Sequence, residues 1–260
     1  MRSVFIEYDP YNRLGNRMFQ YAFGYIVSKE FNCPLYSVEG LPNLGIKPNV
    51  PGQNFDHDKI FTRDIGDQYF DLNLLKDFTG DLIVNSWLQK SSYYINYRKE
   101  LQQVFGIKDL NSINDDALVL HIRGTDYNQL GWFLGYKFYK ALIENNKFTK
   151  IKIVTDDPEC NTVDKLVRDG CELVTQGPET EFNINCDKRA IDDFKTLLYS
   201  KNIAISQSSF SWWAAFLGSH NKVIFPYAKE TNKGMWLQDP GKDDVDLFFD
   251  FNGTCVKYIL

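Results

Sequence analysis

The sequence predicts an α/β protein with mostly parallel sheets, and two patterns support this. In the second half of the chain, short apolar runs typical of buried strands alternate with segments whose apolar residues have helical spacing, as in consecutive β-α-β units. The first half opens with a strand, a polar loop, a helix and a second strand. Predicted strands span 1–8, 33–38, 81–86, 117–123, 150–155, 171–175, 202–206 and 222–226. Predicted helices span 18–31, 94–105, 137–145, 161–169, 191–199 and 211–217.

A change of pattern near residue 110 divides the 260 residues into two predicted domains. Gly106 and the polar stretch 108–116 interrupt the alternation of strands and helices there. We therefore expect an N-terminal α/β domain over 1–110 and a C-terminal domain over 111–260.

The composition excludes several classes of function. A net charge of −5 without a basic stripe argues against binding of nucleic acid. Five cysteines, an odd number without a CxxC pair, and only three histidines give no zinc spacing. Charged residues at Arg2, Glu7 and Asp9 interrupt the apolar start, so we expect no signal peptide, and no apolar run is long enough for a transmembrane segment. These features predict a cytoplasmic chain with free thiols.

Four polar segments follow predicted strands, at the edge of a parallel sheet where ligands bind. The first, residues 12–17, leads into a helix whose N-terminus attracts anions. Gly15 permits a tight turn, and Arg13 and Arg17 add positive charge. The competing interpretation is an ordinary loop with surface arginines.

The second polar segment contains His121, Arg123 and Asp126 at the end of a buried strand. A guanidinium group suits a diphosphate because it donates to two oxygens at once. A buried ion pair between Arg123 and Asp126 explains the pattern equally well.

The third and fourth segments also carry polar groups that suit a nucleotide. Asp156 and Asp157 follow the strand 150–155, where an acid commonly accepts hydrogen bonds from a ribose or a base. Asp157, ahead of Pro158, also suits a helix N-cap. The segment 206–213 holds four hydroxyls within six residues, more than the one serine an N-cap needs, and would cradle a phosphate together with helix amides.

These segments resemble motifs of the α-1,2-fucosyltransferase family (glycosyltransferase family 11), within the broader fucosyltransferase superfamily. Arg-Leu-Gly-Asn-Arg-Met-Phe-Gln-Tyr-Ala at 13–22 resembles the family's opening motif, and His-Ile-Arg-Gly-Thr-Asp-Tyr at 121–127 resembles its arginine motif. Ser-Ser-Phe-Ser-Trp-Trp at 208–213 resembles its serine–tryptophan motif, the most specific of the three. Val-Thr-Asp-Asp-Pro at 154–158 is similar to a block in the α-1,6 and protein O-fucosyl relatives.

The resemblance implies two Rossmann-like domains of the GT-B type, with the donor held by the second domain and the acceptor side supplied by the first. It implies an inverting glycosyltransferase that moves L-fucose from GDP-β-L-fucose to a glycan hydroxyl and forms an α-1,2 linkage to galactose. No metal and no other cofactor are expected. The expected partners are the GDP-sugar donor and a glycan acceptor, either an oligosaccharide or a lipid-linked glycan, with peripheral membrane association left open.

The resemblance also implies which residues act. The expected donor-binding residues are Arg13, Gly15, Asn16, His121, Arg123, Asp156, Asp157, Ser208, Ser209, Phe210 and Ser211. Arg123 would grip the β-phosphate, with His121 nearby, and Asp126 is the first candidate for the general base. His121 is the second candidate, and Asp126 is alternatively only a structural partner of Arg123.

One position departs from the family pattern, because Gly124 stands where the family usually has a second arginine. This departure leaves open a transferase of the same fold that uses another GDP-sugar or forms another linkage. A catalytically silent module that binds a GDP-sugar or a glycan is the alternative from a different class.

Overall fold

The computed structural model of the chain describes residues 1–52, 58–65, 72–108, 116–175, 188–227 and 247–259. The chain divides into two compact units. One unit contains the described residues up to Lys108, together with Leu247, and the other contains the described residues from Asp116 to Tyr227 and from Phe248 onward. The domain boundary predicted at residue 110 lies outside the described residues.

The N-terminal unit is built on a four-stranded parallel sheet with the order β2-β1-β4-β3. Its strands are β1 Ser3–Ile6, β2 Leu35–Ser37, β3 Lys59–Phe61 and β4 Asp81–Val84. Its α-helices are α1 Leu14–Glu30, α2 Thr62–Ile65 and α3 Arg98–Val104. Short 3-10 turns cover Pro42–Leu44, Leu72–Leu75, Ser91–Tyr93 and Ile95–Tyr97.

Helix α1 packs unusually close to the sheet of this unit. A Cβ atom on Gly24 would lie 2.3 Å from Ile6 Cδ1 and 3.3 Å from Leu35 Cδ1. Glycine therefore lets the helix approach β1 and β2 without displacing their apolar side chains. Since β4 is buried along its whole length, the unit has a continuous core beneath its central strands.

The C-terminal unit is built on a six-stranded parallel sheet with the order β10-β9-β8-β5-β6-β7. Its strands are β5 Leu118–Ile122, β6 Ile151–Thr155, β7 Glu172–Leu173, β8 Asn202–Ala204, β9 Lys222–Tyr227 and β10 Cys255–Ile259. Its helices are α4 Thr125–Leu130, α5 Gly135–Asn146, α6 Asn161–Arg168, α7 Lys188–Leu198 and α8 Ser209–Leu217. All five residues of β5 are buried, as expected for a central parallel strand.

The parallel sheets and their helices confirm the predicted α/β class, while several boundaries differ. Helix α1 begins at Leu14 rather than at residue 18, so the polar segment that was assigned to a loop forms the first helical turn. The helix predicted from residue 94 begins at Arg98 and is preceded by two 3-10 turns. The sequence analysis missed β3, β10, α2 and α4; the helices among them are only four and six residues long, too short for a helical repeat to stand out.

An aromatic cluster joins the C-terminal segment to helix α8. The Trp212 and Phe216 rings stack with centroids 4.7 Å apart, and the Phe249 ring lies edge-on to both, at 5.6 Å and 5.3 Å. These geometries are the ones that aromatic pairs favour. All three residues are buried, so Phe249 anchors the chain just before it enters β10.

We expect the Phe249→Ala substitution to lower the free energy of unfolding by about 3 kcal/mol, because it leaves a cavity beside two stacked rings. Urea unfolding followed by tryptophan fluorescence measures this loss. Val167→Ala, at a position that is 41% exposed on helix α6, is the control and should change stability by less than about 0.5 kcal/mol. An equal loss in the two variants would show that the aromatic cluster does not anchor the segment.

Candidate functional site

The strand order of the C-terminal unit identifies one edge of its sheet as the place for a ligand. From β5 the chain continues outward to β6 and β7 on one side, then returns to β8 on the other side. The loops that follow β5 and β8 therefore diverge, and open parallel sheets bind ligands in the crevice at such a switch point. The segments after β5, β6 and β8 carry three of the four polar motifs that the sequence analysis selected.

Arg123, just beyond β5, is held by two carboxylates. Its Nε and Nη2 donate to the two oxygens of Asp126 at 2.9 Å and 3.0 Å, and its Nη1 lies 3.0 Å from Asp156 Oδ2. Burial acts to lower the pKa of Arg123, but Asp156 and Asp126 outweigh it and raise that pKa. The ion pair that was one interpretation of Arg123 and Asp126 is thus present, and it is bidentate.

The two carboxylates differ in exposure. The Asp126 side chain is 43% exposed, whereas that of Asp156 is only 12% exposed. Because an exposed ion pair is worth less than a buried one, the Asp126 contact is the weaker of the two that hold Arg123.

Asp156 organises the turn between β5 and α4. Its Oδ1 accepts the Gly124 N–H at 2.7 Å, and its Oδ2 accepts the Thr125 hydroxyl at 2.8 Å. Burial acts to raise the pKa of Asp156, but Arg123 and these hydrogen bonds prevail and lower it. Asp156 is therefore ionised at neutral pH and bonded to three consecutive residues of the turn.

Close contact with Asp157 explains why position 124 is glycine. A Cβ atom on Gly124 would lie 2.6 Å from Asp157 Cβ and 2.9 Å from its Oδ2, far inside normal contact distances. An arginine at position 124 therefore requires the backbone or Asp157 to move. The departure from the family motif and the presence of Asp157 are linked by this contact.

The prediction that Asp157 caps a helix is wrong. Helix α6 begins at Asn161, and its N-cap residue is Cys160. The Asp157 carbonyl oxygen accepts the Cys160 N–H at 3.3 Å, in a turn that precedes the helix. Burial, together with the charges of Asp156 and Glu159, raises the pKa of the Asp157 carboxyl group.

His121 lies inside the sheet and is only 3% exposed. Its Nδ1 is 2.7 Å from Ser206 Oγ, which joins the end of β5 to the segment after β8, and its ring lies 5.7 Å from that of Phe210. Burial lowers the pKa of His121 to about 4, a shift that Asp156 opposes and Arg123 reinforces. The imidazole is therefore neutral at neutral pH and a weak base.

The serine-rich turn after β8 is stabilised by hydrogen bonds between its own residues. Ser211 Oγ accepts the Ser206 N–H at 3.3 Å and donates to the Ser208 carbonyl oxygen at 3.2 Å, so its hydroxyl is used within the turn. Ser208 is the N-cap residue of α8, but its side chain makes no capping bond. Ser209 and Phe210 are half-buried in the first turn of the helix. The α8 amides and the Ser208 and Ser209 hydroxyls are the groups of this turn that suit an anion.

The predicted site residues of the N-terminal unit lie at the start of α1. Arg13 is the N-cap residue, Gly15 and Asn16 follow in the first turn, and Asn16 Oδ1 accepts Gln89 Nε2 at 3.1 Å. Arg17 is buried, donates to the Asn12 carbonyl oxygen at 2.9 Å and pairs with Glu39 at 2.6 Å. Its contacts within the unit are structural, whereas the donor-binding roles of Arg13, Gly15 and Asn16 stay predictions.

Three residues of the switch-point edge were missed by sequence reasoning. The Thr125 hydroxyl bonds to Asp156, and Tyr127 Oη donates to the Gln207 carbonyl oxygen at 2.5 Å. Gln207 is buried, and neither polar atom of its side chain has a hydrogen-bond partner among the described residues. Thr125 and Tyr127 lie inside the arginine motif, which was a signal for them, but no sequence pattern marks Gln207.

A pH dependence of stability follows from the burial of His121. Because its pKa falls from 6.5 to about 4, the folded chain binds fewer protons than the unfolded chain between these values. The burial of His121 is therefore without penalty above about pH 6.5 and destabilises the fold as the pH falls toward 4. We expect the urea midpoint to fall more steeply from pH 7 to pH 5 in the wild type than in His121→Gln. Parallel pH profiles of the two proteins would contradict a buried neutral imidazole.

Comparisons with known proteins agree with the family that the motifs indicate. The chain is 26% identical, over an alignment of 193 positions that covers 66% of it, to the protein named "Putative galactoside 2-alpha-L-fucosyltransferase svh-11" of Caenorhabditis elegans. The chain spans about half, 51%, of the length of that relative. No protein-family model matches the chain.

Two solved fucosyltransferases share the fold. The FUT1 R284K mutant of Arabidopsis thaliana, in complex with GDP, superposes with a TM-score of 0.53 at 13% identity, over 87% of this chain and 71% of that one. The NodZ α-1,6-fucosyltransferase of Bradyrhizobium, soaked with GDP-fucose, gives a TM-score of 0.51 at 11% identity, over 90% and 97% of the two chains.

Within the described ranges, no group of three or more acidic, histidine or cysteine residues is placed to hold a metal ion, and no helix is long and apolar enough to cross a membrane. The predicted GT-B fold is confirmed by its solved neighbours. The resemblance to the α-1,2-fucosyltransferase family is confirmed by a sequence relative that carries that name.

Proposed function

We propose that this chain is a glycosyltransferase that transfers fucose from GDP-fucose to a hydroxyl group of a glycan. The observation that carries the proposal is the switch-point edge of the C-terminal unit, where Arg123 and the N-terminus of α8 converge beyond adjacent strands. Both are suited to the negative charge of a diphosphate. The names of the sequence relative and of the structural neighbours support fucose as the transferred group.

The proposal includes an exchange of partners at Arg123. A diphosphate oxygen would replace the half-exposed Asp126 carboxylate, while the buried Asp156 would continue to hold the guanidinium group. In the transition state, negative charge grows on the leaving diphosphate, and Arg123 and the α8 amides would stabilise that charge. These groups then supply the stabilisation without a metal ion.

Release from Arg123 would also prepare Asp126 for proton transfer. A carboxylate that loses a cationic partner accepts a proton more readily. Asp126 would then take the proton of the acceptor hydroxyl during a single in-line attack that inverts the sugar carbon. His121 is a poorer candidate, because burial lowers its pKa to about 4.

The linkage and the identity of the donor are the finer parts of the proposal. The α-1,2 linkage to galactose is supported by the name of a relative that is 26% identical, and NodZ bears the name of an α-1,6 enzyme. The Gly124–Asp157 contact favours, as the second candidate, a transferase of the same fold with another GDP-sugar donor. A module that binds but does not transfer remains the third.

Calorimetric titration with GDP, GDP-fucose, GDP-mannose and UDP-glucose in the presence of EDTA tests the donor. We expect GDP and GDP-fucose to bind with affinities in the micromolar range, roughly −8 kcal/mol, and UDP-glucose not to bind. Arg123→Lys, which keeps the charge but loses the fork of donors, should weaken GDP binding by about tenfold. Tight binding of GDP-mannose alone would show that the donor is GDP-mannose rather than GDP-fucose. Binding that is seen only after Mg²⁺ is added would refute the metal-free proposal.

The Asp126→Asn substitution tests the general base. With an acceptor that the wild type uses, we expect GDP release to fall by about 100-fold or more, while GDP binds within about threefold of the wild type. Asp164→Asn is the matched control, because Asp164 forms a surface ion pair with Arg168 at 2.7 Å within one helix. Unchanged turnover in Asp126→Asn would leave Asp126 only as the structural partner of Arg123.

A further inference from the structure

Gln207 lies in the turn between β8 and α8 with its side-chain amide unpaired. Only 2% of the residue is exposed, and neither Oε1 nor Nε2 has a hydrogen-bond partner among the residues that the structure describes. Buried amide groups in folded proteins are almost always bonded. Because neither Oε1 nor Nε2 is bonded, Gln207 has unused capacity both to accept and to donate hydrogen bonds at the switch-point edge.

The backbone around Gln207 is fixed. Its carbonyl oxygen accepts Tyr127 Oη at 2.5 Å, the Ser206 N–H donates to Ser211 Oγ at 3.3 Å, and the Ser208 carbonyl oxygen accepts the Trp212 N–H at 2.9 Å. The unmet amide is therefore not a by-product of a loosely held loop. The backbone of the turn is therefore fixed, while the side-chain amide of Gln207 is left without partners among the described residues.

The polarity of the unmet atoms restricts the ligand. Phosphate oxygens only accept hydrogen bonds, so a diphosphate would satisfy Nε2 and leave Oε1 without a donor. A hydroxyl group both donates and accepts, so neighbouring hydroxyls on a sugar ring satisfy both atoms. The amide therefore matches a sugar ring better than it matches the diphosphate.

The position of Gln207 distinguishes between the two sugars of a nucleotide-sugar. Asp156 and Asp157, the acids suited to a nucleoside, follow β6 on one side of β5, whereas Gln207 follows β8 on the other side. Tyr127, which bonds to Gln207, lies under Arg123, with the guanidinium carbon 5.4 Å from the ring centre. Gln207 is thus next to the proposed diphosphate site and away from the nucleoside side.

We propose that Gln207 determines donor specificity by hydrogen-bonding, through both atoms of its amide, to hydroxyl groups of the hexosyl ring of the donor. The inference rests on the proposed function and adds to it the residue that recognises the transferred sugar. The amide must rotate out of its buried position to reach the sugar ring, and the two hydrogen bonds gained there favour that rotation. Sites that bond substrate hydroxyls in this way discriminate strongly between sugars that differ in them.

Calorimetry on Gln207→Met, which keeps the side-chain length and removes both polar atoms, tests this inference. We expect GDP to bind within about twofold of the wild type and GDP-fucose to bind about tenfold more weakly, since the change removes contacts to the hexosyl group alone. The thermal midpoint should stay level or rise, because an unpaired buried amide is lost. Gln103→Met, on the exposed face of α3 in the other unit, is the control and should bind both ligands as the wild type does.

The outcomes separate this inference from the proposed function. If the wild type binds neither GDP nor GDP-fucose, the proposed function fails, and the role of Gln207 fails with it. If the wild type binds both and Gln207→Met weakens them equally, Gln207 acts on the nucleotide or on the turn, which overturns the inference alone. Unchanged binding of both ligands, with a raised thermal midpoint, would make Gln207 a packing residue and would also overturn it.

Discussion

The hydrogen bonds and ion pair of the Asp156 carboxylate are the interaction on which the switch-point edge depends. One largely buried side chain from the end of β6 holds Arg123, the Gly124 N–H and the Thr125 hydroxyl, three consecutive residues beyond β5. Burying a carboxylate is unfavourable unless its oxygens are bonded and a cation lies near, and here both conditions hold. This anchor sets where α4 begins, and α4 in turn carries Tyr127, whose hydroxyl fixes the turn after β8. The loops after three strands are thereby connected through a few polar contacts.

Within that anchored edge, the contacts differ in how easily a ligand can replace them. His121 and Ser211 are buried, the Asp156 side chain is only 12% exposed, and the hydrogen bonds of all three are made within the protein. Asp126 is half-exposed, so its contact with Arg123 is worth less in water and is the first that an anion would displace. The site therefore combines a rigid frame with one half-exposed carboxylate, the arrangement that the proposed exchange of partners at Arg123 requires.

The sheets and the meeting of the motifs at one edge could be predicted from the sequence, because both follow from periodicity and from the geometry of parallel strands. The apolar run at the start of the predicted strand 117–123 indicated β5, and all five residues of β5 are indeed buried. The motifs after β5, β6 and β8 necessarily share one edge, because these strands are parallel. The sequence could not show which partner each polar group takes. Asp156 and Asp157 look alike in the chain, yet one anchors a turn and the other lies against Gly124, and neither caps α6. Ser211 looked like a ligand for phosphate, but its hydroxyl is used by its own turn.

The contact between Gly124 and Asp157 changes what the missing second arginine means. The space that a side chain at position 124 would enter is occupied by Asp157, so this part of the edge carries a carboxylate where the family motif would place a second arginine. Arg123 is paired with two acids, Asp126 and Asp156, so its positive charge is balanced before any phosphate arrives. A diphosphate at this edge must rely on neutral donors, namely the α8 amides and nearby hydroxyls, to a greater extent than two adjacent arginines would require. Neutral donors recognise shape and hydrogen-bonding pattern rather than charge, which is consistent with the role proposed for Gln207 in choosing the donor.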